Sequence, residues 1–156
     1  MRAAGTAVLQ GHWKGLQEGS LTVGGNDLFS VVDAYGAVNE SAIPGMLQAY
    51  GQNLFVILST LVATPGDVKV FVGNLYDPKL PIPGSGLLVA AMNEVIAQVV
   101  SAFPGKVVLV DVYSAFQGRS GLLLNEKRGA APGEVHPAIA GYGVMAAAFA
   151  DTIGKK

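Results

Sequence analysis

The chain has 156 residues, of which 51% are hydrophobic and only 13% carry charge, and its formal net charge is −1. This length suits one domain with a full hydrophobic core, so we expect a single domain over residues 1–156. The near-neutral charge gives no electrostatic basis for binding nucleic acid or an anionic membrane surface. Because the sequence contains no cysteine, disulfides and thiolate metal sites are excluded.

The longest apolar stretch, residues 54–63, is interrupted by Ser59 and Thr60 and is typical of a buried helix. It is too short for a transmembrane segment, which needs ~20 apolar residues. The first residues lack the apolar core and the cleavage pattern of a signal peptide. A cytoplasmic location is therefore the default expectation.

Strand-like and helix-like segments alternate along the chain. β-branched and apolar runs predict buried strands, and prolines and glycines beside longer apolar segments predict helix ends. Strands that are apolar on both faces and joined by helices indicate a mostly parallel sheet in a three-layer α/β sandwich of the flavodoxin-like type. In chain order, we predict a strand at 20–23, a helix at 42–61, a strand at 68–72, a loop at 78–86, a helix at 87–103, a strand at 107–112, a loop at 114–133 and a helix at 137–153.

The first predicted strand ends in Gly24-Gly25-Asn26-Asp27. Ligands of parallel α/β sheets bind beyond the carboxyl ends of the strands, where this tetrad lies. The side-chain N–H of Asn26 suits the negative oxygen that forms when a carbonyl is attacked, and Gly25 is a candidate to line the same place. The alternative interpretation is an ordinary turn, because such tetrads are common turns.

His136 directly precedes Pro137 and the last predicted helix. Imidazole titrates near neutral pH, so His136 is a candidate general base. The alternative is a loop histidine that caps the helix or packs beside Pro137. Asn74 follows the second predicted strand and is a candidate to line the substrate cleft, although Asp77-Pro78 in the same stretch is typical of a turn.

No phosphate-binding glycine loop, dinucleotide motif or metal-ligand spacing occurs, so we expect neither a cofactor nor a metal. The other histidine, His12, is far from His136 in sequence, which does not favour a multi-histidine zinc site. Its neighbour Trp13 is interpreted as core packing or as an anchor at an interface.

Together these motifs resemble the SGNH (GDSL-like) hydrolases, a family of esterases and lipases. Residues 23–28 resemble the block whose Asn donates to the oxyanion, which assigns that role to Asn26. Val135-His136-Pro137, followed by Ala140-Gly141-Tyr142, resembles the block whose His is the catalytic base. The resemblance covers the chain from about residue 21 onward and implies an SGNH-type fold.

The chain departs from the family pattern at two catalytic positions. No Gly-Asp-Ser occurs, so the sequence resembles an N-terminally truncated member without the usual nucleophile. The acid that orients the His stands three residues before it in the family, where this chain has Gly133. Glu134 is the candidate substitute, because residues i and i−2 of an extended segment point to the same side.

Serines in loops at the predicted edge of the sheet are the remaining candidates for a nucleophile. Ser85 lies in a predicted flexible loop without an activating turn, and we judge it unsuited. His136 could instead activate water directly. The candidates are Ser30, Ser114 and Ser120.

Without the family's first two strands, one edge of the sheet would be open, and such edges need a cover. Residues 3–10 could supply a replacement strand, or a second chain could pair there. We predict a homodimer or larger oligomer with residues 20–23 near the interface.

These observations predict a carboxylic ester hydrolase that acts on small esters with short acyl groups. The alternative is a catalytically inactive or truncated remnant of the fold that serves as a binding or oligomerisation module.

Overall fold

The computed structural model describes residues 17–32, 37–80, 82–126 and 134–155. Short 3₁₀ turns at Glu40–Ala42 and Leu124–Glu126 accompany three strands and five helices in this part of the chain. In chain order these are β1 (Glu18–Leu21), α1 (Gly25–Phe29), α2 (Ile43–Val62), β2 (Lys69–Gly73), α3 (Ser85–Ser101), β3 (Val107–Val110), α4 (Val112–Phe116) and α5 (Ile139–Ile153).

The described strands form one parallel sheet in the order β1-β2-β3. Ser20 pairs with Phe71, and Phe71 pairs in turn with Val108. β2 is buried along most of its length, as expected for a central parallel strand with helices on both faces. The predicted mostly parallel α/β sandwich is therefore confirmed.

One face of the sheet is covered by α2 and α3. Val70 and Val72 of β2 point to this side and pack against the buried stripe of α2. That stripe recurs every three or four residues, the spacing of one face of a helix. Its members are Tyr50, Leu54, Leu58 and Leu61.

The opposite face is covered by α4, α5 and the segment at 122–123. Phe71 points to this side and joins a second buried cluster with Val110, Val112 and Phe116. The helices cover both faces of the sheet and leave the carboxyl ends of its strands uncovered. The segments that follow β1 and β2 meet at this end of the sheet.

Several boundaries differ from those predicted. β1 begins at Glu18 rather than at residue 20, and α3 begins at Ser85 rather than at residue 87. The short helices α1 and α4 were not predicted, because five residues are too few to establish a helical period. β3 ends at Val110, because the carboxylate of Asp111 accepts the main-chain N–H of Ser114 at 3.0 Å and starts α4.

The predicted replacement strand at 3–10, His12 and Trp13 lie outside the described residues. Across the described ranges, no helix combines the length and the apolar character that crossing a membrane requires.

Candidate active site

A cavity of about 480 Å³ lies at the carboxyl edge of the sheet, between the loops that follow β1 and β2. Most of its wall is aliphatic, and its polar groups come from separate parts of the chain. Both Asn26 and His136 lie on this wall. The residues that line the cavity are 22–29, Val32, Val38, Leu75, Tyr76, Pro78, Leu80, Ile82, Ser85, Leu88, Val89, Val135 and His136.

The turn that leads into α1, and so to Asn26, is shaped by Gly24. Gly24 precedes α1 with a φ of 108°, a conformation that favours glycine. A Cβ atom there would lie 2.8 Å from the ring of Tyr50, whose hydroxyl donates to the carbonyl oxygen of Val23 at 3.2 Å. Burial, and secondarily the charge of Asp27, raises the pKa of Tyr50, so this hydroxyl stays protonated.

Asn26 is exposed at the cavity, and its side-chain amide makes no hydrogen bond to any described residue. Gly25 also lies on the wall. The N–H groups of both residues belong to the first turn of α1, where the helix itself offers no acceptor. Both residues thus place groups without a helical partner beside the cavity.

The backbone around His136 is fixed on two sides. On one side, the carbonyl oxygen of His136 accepts the N–H of Leu124 at 2.9 Å, and Leu122 accepts the N–H of Ala138 at 2.7 Å. On the other side, the hydroxyl of Tyr76 donates to the carbonyl oxygen of Val135 at 2.8 Å. The imidazole itself is exposed.

Glu134 binds the imidazole and the backbone beside it with one oxygen. Its Oε1 lies 2.6 Å from Nδ1 of His136 and accepts the N–H groups of His136 at 2.9 Å and Val135 at 3.0 Å. The hydrogen bond from the His136 N–H, followed by that from the ring, lowers the pKa of Glu134. A carboxylate at Nδ1 favours the tautomer with a proton on Nδ1, which leaves Nε2 as an acceptor.

Asn74 does not lie on the described cavity wall, contrary to the expectation that it lines the cleft. Its Nδ2 donates to Asp111 at 3.0 Å, and its Oδ1 accepts the N–H of Tyr113 at 2.7 Å. Both ends of the amide are thus used to join the end of β2 to the start of α4. Asp77 accepts the N–H of Lys79 at 2.8 Å, which forms the turn that the Asp-Pro pair indicated.

The predicted nucleophile candidates also lie away from the described wall. Ser30 donates to the carbonyl oxygen of Asp27 at 2.6 Å, Ser114 lies within α4, and Ser120 is exposed in the loop beyond it. The serine on the wall is Ser85, the first residue of α3. Its hydroxyl donates a long hydrogen bond of 3.4 Å to the carbonyl oxygen of Leu80.

The assignment of Ser85 to a flexible loop is therefore wrong. Gly84 has a φ of 82°, and this left-handed turn directs the chain into α3 at Ser85. The signal available in the sequence was Gly-Ser-Gly immediately before a long apolar helix.

Tyr76 and Asn93 are also part of the site or its support. Tyr76 lies in the stretch at 74–78 that the sequence offered as a lining of the cleft, whereas Asn93 was not singled out. Asn93 of α3 accepts the N–H of Leu75 at 2.7 Å and donates to its carbonyl oxygen at 2.9 Å. This pair of bonds holds the chain just before Tyr76. In the described part of the chain, no group of three or more His, Asp and Glu side chains is arranged to hold a metal ion.

A comparison with solved structures matches the lipase Lip_vut3 from a goat rumen metagenome. The two chains are 21% identical, with a TM-score of 0.64 over 93% of this chain and 70% of that lipase. No protein-family model and no curated protein matches the sequence. The chain thus has the α/β fold of a lipase.

Proposed function

We propose that the protein is an SGNH-type hydrolase of small carboxylic esters with short acyl groups. The observation that carries the proposal is that Asn26 and His136, far apart in sequence, line one largely apolar cavity. An apolar cavity with a few convergent polar groups is the usual form of a small-molecule site. The lipase fold and the resemblance of both sequence blocks to this family support the same activity.

In the proposed mechanism, Nε2 of His136 removes the proton of the attacking hydroxyl or water. The attacking oxygen bonds to the ester carbonyl carbon, and the carbonyl oxygen becomes an oxyanion that Asn26 stabilises with its side-chain N–H. The protonated His136 then gives its proton to the leaving alcohol as the ester C–O bond breaks. Glu134 holds the ring in the required tautomer and stabilises its charged form.

Two nucleophiles are compatible with this cavity. The hydroxyl of Ser85 is on the wall and would form an acyl-enzyme, which water then hydrolyses with His136 as base. A water molecule activated by His136 would give the acid in one step without a covalent intermediate. Ser30, Ser114 and Ser120 are less favoured because none of them lines the described wall.

The wall composition supports an ester with an uncharged acyl group. Leu28, Leu80 and Leu88 lie on it together with several other aliphatic side chains. Burying an acyl chain against them contributes about 0.8 kcal/mol per methylene group. No lysine or arginine lies on the described wall, so nothing there favours a substrate with a negatively charged acyl chain.

The test is hydrolysis of p-nitrophenyl acetate and butyrate by the wild type and by His136→Ala. We expect the substitution to lower kcat by about 10²–10⁴-fold, the usual contribution of a general base. Gln98→Ala, at an exposed residue of α3 that is not on the described wall, is the control and should retain the wild-type rate. Equal rates in the wild type and His136→Ala would reject the esterase proposal in favour of a binding module.

A fluorophosphonate probe with peptide mapping then separates the two nucleophiles. Labelling at Ser85 that is lost in His136→Ala supports the acyl-enzyme route. Turnover that depends on His136 without labelling of any serine supports direct attack by water.

A further inference from the structure

Tyr76 joins the cavity wall to the segment that carries His136. Its side chain lies on the wall, and its hydroxyl donates to the carbonyl oxygen of Val135 at 2.8 Å. Val135 is the residue directly before His136, so this bond restrains the backbone from which the imidazole extends. The phenol is half-buried, which protects the bond from competition with water.

The position of this hydroxyl is set by two elements on opposite faces of the sheet. On one face, the ring of Tyr76 stacks on Phe116 of α4, with 4.8 Å between ring centroids and 17° between planes. On the other, Asn93 of α3 holds the backbone of Leu75 through two hydrogen bonds. These contacts restrict the movement of Tyr76, so the hydrogen bond from its hydroxyl restrains the backbone of Val135.

Tyr76 also keeps its proton over the working pH range. Burial, followed by the nearby Tyr142 and Glu134, raises the pKa of Tyr76 to about 12. The phenol thus remains a donor to a carbonyl oxygen, and it does not become an anion beside Glu134. This behaviour suits a fixed support better than a group that exchanges protons with substrate.

The bond from Tyr76 holds the carbonyl side of the peptide group between Val135 and His136, whose N–H side is bound by Glu134. Leu124 holds the carbonyl of His136 itself, and Glu134 holds the ring at Nδ1. Tyr76 fixes the peptide group between Val135 and His136, whose orientation sets the direction of the Cα–Cβ bond of His136. We propose that Tyr76 is a positioning residue for His136, which holds the imidazole toward the substrate cavity without reacting itself.

This inference rests on the proposed function, and Tyr76→Phe tests it because the substitution removes only the hydroxyl and keeps the ring on Phe116. Tyr113→Phe is the matched control: Tyr113 lies at the start of α4, and its hydroxyl makes no hydrogen bond to a described residue. Loss of one half-buried hydrogen bond corresponds to about a tenfold effect. We expect Tyr76→Phe to lower kcat for p-nitrophenyl butyrate about tenfold with KM within twofold, and Tyr113→Phe to change neither.

The kinetic pattern separates positioning from wall packing. A raised KM with unchanged kcat in Tyr76→Phe would overturn the proposal, because it would make Tyr76 a wall residue only. Equal kcat in the two variants would overturn it as well. Unfolding temperatures of both variants, measured alongside, identify any loss of folded protein.

A second measurement does not depend on turnover. The chain has only two histidines, so ¹⁵N–¹H correlation spectra of the rings are assigned directly with His136→Ala. We expect Tyr76→Phe to shift or broaden the His136 ring signals, and Tyr113→Phe to leave them in place. Unchanged His136 signals in Tyr76→Phe would overturn the proposal even if the protein hydrolyses esters. If the wild type and His136→Ala hydrolysed the ester at equal rates, the proposed function would be rejected. The ring spectra would still decide whether Tyr76 orients His136.

Discussion

Oε1 of Glu134 lies 2.6 Å from Nδ1 of His136 and accepts two adjacent main-chain N–H groups as well. One carboxylate oxygen therefore fixes the ring and the peptide backbone next to it. The side chain of Glu134 reaches Nδ1 because it turns toward the N–H groups of the next two residues, Val135 and His136. This local geometry distinguishes the pair from an acid that approaches the histidine from another element.

Glu134→Gln should lower kcat by about 10²-fold or more, with little change in KM. The neutral amide no longer stabilises the charged imidazole, and its NH₂ group can face Nδ1 and favour the wrong tautomer. The measurement is the pH–rate profile for p-nitrophenyl butyrate. Glu94→Gln makes the same charge change on the exposed side of α3 and is the control. An unaltered profile and turnover in Glu134→Gln would show that Glu134 does not orient the base.

The sequence predicted the main elements because their signals are local. The β-branched run at 68–72 predicted β2, and Pro44 with Pro65-Gly66 bracketed α2. The placement of Asn26 and His136 at one edge of the sheet followed from parallel topology, in which the carboxyl ends of the strands share an edge, although Asn26 lies in α1 rather than in a loop. The contact between Glu134 and His136 was predicted from their separation of two residues.

Long-range side-chain contacts could not be predicted in this way. Asn74 and Asp111 meet only because β2 and β3 are neighbours in register, and the two bonds from Asn93 to Leu75 depend on how α3 packs on the sheet. The cavity position of Ser85 depends on the left-handed turn at Gly84, which a Gly-rich loop does not specify. Such contacts are set by tertiary packing rather than by local spacing.

Asp111→Ala should destabilise the protein by about 1–2 kcal/mol at pH 7. The carboxylate accepts from Ser114 at the start of α4 and from Asn74 at the end of β2, and the loss of a helix cap of this type has about that cost. Thermal or urea unfolding of the two proteins measures the difference. A loss well below 0.5 kcal/mol would mean that α4 does not depend on this cap.

The stabilisation by Asp111 should also depend on pH. Burial alone would raise the pKa of Asp111, but the hydrogen bonds from Ser114 and Asn74 outweigh it and hold the pKa below its usual value. A carboxyl whose pKa is lower in the folded state stabilises that state above the unfolded pKa of about 3.9, and this effect is lost as the pH falls through the folded pKa. Between pH 7 and pH 2.5, the free energy of unfolding of the wild type should approach that of Asp111→Asn, whose side chain does not titrate. A constant difference between them would contradict the assignment.

Gly24→Ala should destabilise the protein by about 1–3 kcal/mol, because Gly24 has a φ of 108° and an added Cβ would lie 2.8 Å from Tyr50. Gly25→Ala is the neighbouring control, since nothing lies within 4 Å of a Cβ there. Urea unfolding compares the two. Equal stabilities would mean that the turn before Asn26 does not need glycine at residue 24.

We also expect the protein to self-associate. The low charge content is accompanied by apolar exposure on α5, where Ile139 is 90% and Tyr142 is 53% exposed. Exposed apolar patches favour contact with another protein surface. We expect a homodimer or larger oligomer in sedimentation velocity at micromolar concentration. Ile139→Lys distinguishes the α5 face from the edge at β1, because it weakens association only if α5 is in the interface. A monomeric wild type would contradict the prediction.

Gly141 of α5 supports the His136 segment through close packing. A Cβ at this residue would overlap the carbonyl oxygen of Leu122 and lie 2.9 Å from Cβ of Pro137. Because Leu122 also accepts the N–H of Ala138, a shift there moves the backbone that holds His136. Gly141→Ala should therefore cost about 1–3 kcal/mol of stability and lower ester turnover as well.

Gly143, two residues further along the same helix, is the matched control because nothing lies within 4 Å of a Cβ there. Gly143→Ala should stabilise the protein by about 0.5–1 kcal/mol, since alanine loses less backbone entropy in a helix. Thermal unfolding and p-nitrophenyl butyrate hydrolysis of both variants provide the comparison. A gain in stability for Gly141→Ala, like that expected for Gly143→Ala, would mean that α5 is not in close contact with Leu122. The packing of Gly141 would then not support the backbone around His136.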